Sequence, residues 1–94
     1  MHGVATEKVP GGKLLRVKVE YGETIDRVQL TGDFFLYPED ELSVIEEALV
    51  GLRTDEPAET IAEVVAGIVA QHNIELVGIT PEAIAQTLKK AMSE

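Results

Sequence analysis

Thr31-Gly32-Asp33-Phe34-Phe35-Leu36-Tyr37-Pro38-Glu39-Asp40 places both phenylalanines of the chain, and one of its two tyrosines, in one short extended segment. Successive residues of a strand point to opposite faces, so Phe34 and Leu36 face one way and Phe35 and Tyr37 the other. One of these faces can join a domain core. The other needs a different cover, and in a chain of 94 residues that cover can be another protein.

Toward the N-terminus, Gly32-Asp33 separates this aromatic strand from an alternating one by a turn or bulge. In that preceding strand Val28 and Leu30 point inward, and Arg27, Gln29 and Thr31 point outward. Ile25 is out of step with Val28, which places either a bulge at Asp26-Arg27 or Ile25 at the end of a hairpin. Across a turn at Gly22-Glu23, Leu15, Val17, Val19 and Tyr21 interleave with Arg16, Lys18 and Glu20, the pattern of a half-buried strand. Pro10-Gly11-Gly12 is a turn signal, and residues 1–9 before it read as a loose N-terminal lead-in to a single domain spanning 1–94.

Toward the C-terminus, Pro38 opens a helix whose first turn holds Glu39, Asp40 and Glu41, carboxylates favoured by the helix dipole. Its apolar stripe is Leu42, Ile45, Leu49 and Leu52, and Gly51 marks its end. A second helix starts near Thr54-Asp55-Glu56-Pro57, buries Ile61, Val64, Val65 and Ile68, and runs out near His72-Asn73. Ile74 to Ile79 is a short link. Thr80-Pro81 then caps a third helix with Ile84, Leu88, Ala91 and Met92 as its buried stripe. Three strands followed by three helices predict an α+β domain: a three-stranded antiparallel sheet covered on one face by about three helices.

Composition narrows the function. No cysteine is present, which removes disulfides, thiolate metal sites and thiol nucleophiles. No apolar run approaches the roughly 20 residues of a membrane span, and Met1-His2-Gly3-Val4 lacks a signal-peptide core, so a cytoplasmic location is expected. The net charge of −9 is uneven: Lys8, Lys13, Arg16, Lys18 and Arg27 against Glu7, Glu20, Glu23 and Asp26 leave residues 1–32 slightly positive, and the helical part carries the excess acid. Nucleic acid is not the partner such a balance selects.

No catalytic constellation stands out. His2 lies in the lead-in, His72 sits at a helix end where it caps carbonyls or meets the dipole, and Ser43 and Ser93 have no base beside them. Gly11-Gly12-Lys13 precedes a strand instead of opening a helix, unlike a phosphate-binding loop. The outward hairpin face is more informative. Arg16, Lys18 and Arg27 form a basic patch, and the aromatic strand would add either Phe35 with Tyr37 or Phe34 with Leu36 beside it. Cations around an aromatic anchor are typical of a docking surface.

Gly11-Gly12-Lys13-Leu14 leading into an alternating strand, then Leu30-Thr31-Gly32-Asp33-Phe34-Phe35-Leu36-Tyr37-Pro38-Glu39 and a helix closing in Ala48-Leu49-Val50-Gly51, resembles the C-terminal accessory domain of lipoate-protein ligases. The resemblance covers nearly the whole chain, and the Gly-Asp-Phe-Phe segment is its most specific part. It implies a non-catalytic accessory subunit that docks on a separate catalytic subunit as a heterodimer. The catalytic subunit would hold ATP, magnesium and lipoate, form lipoyl-adenylate, and pass lipoyl to a lysine of an acceptor domain. Gly11, Gly12, Lys13, Arg16, Lys18, Arg27, Gly32, Asp33, Phe34, Phe35 and Tyr37 then become partner-binding or adenylate-proximal candidates, and Lys13 is the one expected to reach toward phosphate. The alternative is a cytoplasmic protein–protein adaptor using the same face. A lipoyl acceptor would need a lysine at a hairpin tip, and Tyr21-Gly22-Glu23-Thr24 has none.

Overall fold

Residues His2–Lys8 form a strand, β1, which pairs antiparallel with β2, Leu14–Tyr21. The expectation of a loose lead-in over 1–9 is therefore wrong, and the reason lies in which residues face inward. Gly3 and Ala5 are the buried positions of β1, too small to register as an apolar alternation. A Cβ on Gly3 would run into the Ala91 carbonyl oxygen. Glycine is what lets a helix settle directly on this strand.

The computed structural model describes residues 1–9, 11 and 13–93. After β1 and β2 come β3 (Ile25–Gly32), β4 (Phe35–Tyr37), a 3-10 turn (Glu39–Glu41), α1 (Leu42–Leu49), α2 (Ala58–Gln71), β5 (Glu75–Val77) and α3 (Pro81–Met92). The main sheet has the order β1-β2-β3, all antiparallel. Its register slips between Glu20 and Tyr21, with Glu20 opposite Arg27 and Tyr21 opposite Ile25. Asp26 is the unpaired extra residue, and Ile25 is buried at the hairpin end. Both readings of the out-of-step Ile25 thus hold together.

Leu15, Val17, Val19 and Tyr21 of β2, with Ile25, Val28 and Leu30 of β3, form the buried floor of the core. Burial of each large aliphatic contributes about 1.5–3 kcal/mol. α3 lies over β1 and β2, α1 lies over β3, and α2 packs against both helices. Their buried stripes are Ile84, Leu88 and Ala91, then Ile45 and Leu49, then Ile61, Ala62 and Val65. Thr80 caps α3 as its sequence indicates: its hydroxyl accepts from the Ala83 amide at 3.1 Å, and Pro81 takes the first turn. The far end of α3 is fixed by the buried Tyr21, whose hydroxyl donates to the Met92 carbonyl at 3.0 Å, and by Lys90, whose Nζ meets Glu7 Oε1 at 2.7 Å.

The fold class is the expected α+β arrangement, with three helices on one face of a three-stranded antiparallel sheet. Its membership differs. β1 takes the place on the sheet that the aromatic strand was expected to fill, and β4 pairs instead with β5 in a separate two-stranded ribbon. The free edge of β3 is already engaged. The Ile25 amide donates to the Leu52 carbonyl, the Gly51 amide to the Ile25 carbonyl, and the Leu30 amide to Glu46 Oε2. Among the described residues no helix is long and apolar enough to cross a membrane.

Candidate docking surface

β4 alternates strictly. Leu36 points into the core at 5% exposure, while Phe35 and Tyr37 point out at 53% and 48%. Antiparallel pairing sets Val77 directly opposite Phe35, Leu76 opposite Leu36, and Glu75 opposite Tyr37. Directly opposed residues share a face with Cβ atoms roughly 4.5–5.5 Å apart, so Phe35, Val77 and Tyr37 make one apolar surface with Glu75 beside it. Phe34 precedes the strand and is partly buried against the core. Of the two arrangements open at the sequence level, the outward pair is Phe35 with Tyr37.

The Gly-Asp pair before this ribbon has a structural task. A Cβ on Gly32, whose φ is +150°, would run into the Leu14 carbonyl oxygen, and that same oxygen accepts from the Asp33 amide at 3.0 Å. Gly32 lets the chain press against the start of β2, and Asp33 fastens it there. The two segments of the sequence motif, Lys13-Leu14 and Gly32-Asp33, therefore meet in space. Their junction aims β4 away from the main sheet.

Lys13 lies at the end of the ribbon. Its side chain runs past Gly78, where an added Cβ would come within 3.0 Å of Lys13 Cγ and 3.6 Å of the Phe34 Cα. Gly11 is exposed in a left-handed turn with φ +98°. Gly12, like Pro10, lies outside the described residues.

Arg16, Lys18 and Arg27 all occupy the outer face of the main sheet, as the alternation requires. Arg16 stands opposite Thr31 and Thr6, Lys18 opposite Gln29 and Val4, and Arg27 opposite Glu20. Arg27 and Glu20 approach to 4.0 Å with both side chains largely in solvent, a pair worth at most about 1 kcal/mol. An open depression of about 560 Å³ follows this face past His2, Val4, Lys18, Arg27 and Gln29.

The predicted site is thus divided. Phe35, Tyr37 and Lys13 gather at the ribbon, whereas Arg16, Lys18 and Arg27 belong to the β1-β2-β3 sheet. One patch combining cations with an aromatic strand in the same sheet does not form, because β4 is not a strand of that sheet. Sequence reasoning missed Val77 and Glu75, although the β-branched and apolar run Ile74-Glu75-Leu76-Val77 closed by Gly78 was a signal of a short strand. It also missed His2, Val4 and Thr6, hidden in the presumed lead-in. His72 stands at the C-cap of α2, the helix end expected for it, and its Nδ1 lies 3.4 Å from Glu41 Oε2, linking the end of α2 to the 3-10 turn.

Comparison with known proteins adds to this geometry. Residues 4–88 match the family model described as the bacterial lipoate protein ligase C-terminus. No curated protein matches the chain. Among solved structures, the fold is similar to a chain from an archaeal lipoylation system of Thermoplasma acidophilum, described as a bipartite lipoate protein ligase and its E2 lipoyl domain. That match has a TM-score of 0.76 at 28% identity and covers 94% of each chain.

Proposed function

This chain belongs to the family of lipoate protein ligase C-terminal domains, and from that premise we propose that it acts as a non-catalytic accessory subunit of a two-component ligase. Its partner is a catalytic subunit that carries ATP, magnesium and lipoate and forms lipoyl-adenylate for transfer to acceptor-domain lysines. The observation that carries this reading is the ribbon: Phe35, Tyr37 and Val77 stand outward on a strand pair whose reverse side is core. A half-exposed phenylalanine on a short, anchored strand forgoes part of its burial free energy alone and recovers it in an interface.

The physical mechanism is differential binding. Docking at the ribbon favours the arrangement of the catalytic subunit that closes over nucleotide and lipoate, so the chain shifts a population without donating a reacting group. Lys13, whose side chain runs alongside Gly78 at the ribbon's end, is the cation to which this reading gives the reach toward the adenylate. Support comes also from the similar archaeal chain, since that structure is of a bipartite ligase.

The test is lipoate-dependent pyrophosphate exchange by the purified catalytic subunit, measured with and without this chain. Stimulation by the wild-type chain, reduced for Phe35→Ala and Tyr37→Ala, is expected. Equal exchange rates in the presence and absence of the chain would refute the reading.

A further inference from the structure

We propose that the outer face of the main sheet is a second interaction surface, separate from the ribbon, which receives an acidic acceptor domain by charge while the ribbon holds the catalytic subunit. This inference rests on the ligase reading above and assigns the partner of a face that reading leaves unused.

The charge distribution is the starting point. In the outward phase of β1, β2 and β3 stand Lys8, Arg16, Lys18 and Arg27, all exposed, with two carboxylates among them, Glu20 and the exposed bulge residue Asp26 beside Arg27. Four cations and two carboxylates give this face +2, which on a chain of net −9 leaves −11 for the remainder. Half of the chain's eight Lys and Arg residues are therefore concentrated on one side of one sheet. Thr6, Gln29 and Thr31 lie in register among them and offer hydrogen bonds.

Three features select the kind of partner. No Phe, Tyr or Trp occupies the outward phase of the three strands, and His2 stands alone at one end, so unstacked bases find no extended platform, and the acidic remainder repels a long polyanion. A discrete acidic patch on a protein meets neither obstacle. The apolar members of this face are only Leu14 at its margin and the half-buried Val4, with no ring like those of the ribbon, so it favours rapid, salt-sensitive encounter over long residence. That is the behaviour needed for a protein substrate that arrives, is modified and leaves in every cycle. A permanently bound subunit needs the opposite, and the ribbon supplies the rings for it.

The experiment uses the reconstituted two-component ligase with an unmodified lipoyl domain as acceptor. The triple variant Arg16→Glu, Lys18→Glu, Arg27→Glu changes only exposed side chains, and circular dichroism checks that it folds. We expect lipoate-dependent pyrophosphate exchange within about twofold of wild type, the acceptor KM raised about tenfold or more with kcat kept, and the wild-type rise of KM with salt largely abolished. The milder Lys18→Gln should fall between. An unmoved acceptor KM would overturn the inference, as would loss of the complex with the catalytic subunit, which would make this face the subunit dock. RNA binding by the wild type that the triple variant loses, with KM unchanged, would overturn it in favour of nucleic acid. If the wild-type chain fails to stimulate exchange, the ligase reading falls and takes this inference with it. An unmoved KM beside chain-dependent exchange removes this inference alone.

Discussion

Replacing Phe35 by alanine removes a ring already half in solvent, whereas the same change at Leu36 empties a filled site in the core. Two adjacent residues should therefore separate binding from stability. Leu36→Ala is expected to cost about 2–5 kcal/mol, read as a lowered midpoint in chemical denaturation. Phe35→Ala should leave that midpoint nearly unchanged and weaken the complex with the catalytic subunit by about 1–2 kcal/mol or more, measured by calorimetry. Unaltered affinity would remove Phe35 as an anchor. Gly32 offers a third probe. Gly32→Ala forces a Cβ against the Leu14 carbonyl oxygen, and a loss of about 1–3 kcal/mol is expected. Because the clash lies at the junction that aims the ribbon, partner binding should fall with stability in this variant, unlike in Phe35→Ala.

Strand β1 is the element that the sequence conceals and the fold requires. Its pairing is non-local, with His2 opposite Glu20 and Lys8 opposite Leu14, and its inward residues Gly3 and Ala5 bury almost no apolar side chain. Hydrophobic periodicity has nothing to detect there, since the strand contributes close approach to α3 instead of area. Deleting residues 1–8 should therefore abolish the cooperative thermal transition; a truncated chain that melts like the full one would show that β1 is dispensable. α3 is the opposite case. Thr80-Pro81 is a local signal, its capping bond spans only the four residues Thr80 to Ala83, and it was legible from sequence. Thr80→Ala should cost about 1 kcal/mol in denaturant unfolding. The ribbon falls between the two. The alternation of β4 was plain, and so were the two faces of its side chains, but the identity of its partner strand depended on β1 already occupying the main sheet. No local pattern carries that information.

At the scale of the molecule, one chain presents two chemically unlike surfaces. The ribbon offers rings and a neighbouring lysine, and the sheet offers dispersed cations on a protein whose other surfaces are strongly acidic. Their separation has a measurable signature. Raising ionic strength from about 0.05 to 0.5 M shortens the screening length from more than 10 Å to less than 5 Å. Affinity for the catalytic subunit should then change much less than affinity for the acceptor, and equal sensitivity would show that a single surface serves both.

The hydrogen bonds from the α1–α2 connection and from Glu46 to β3 occupy one margin of the sheet. Among the described residues nothing is bonded to the opposite margin, along β1. A strand that joins the main sheet does so on that side, where the row of amides and carbonyls along β1 is left to meet it. Two copies meeting there edge to edge would continue one sheet across the pair.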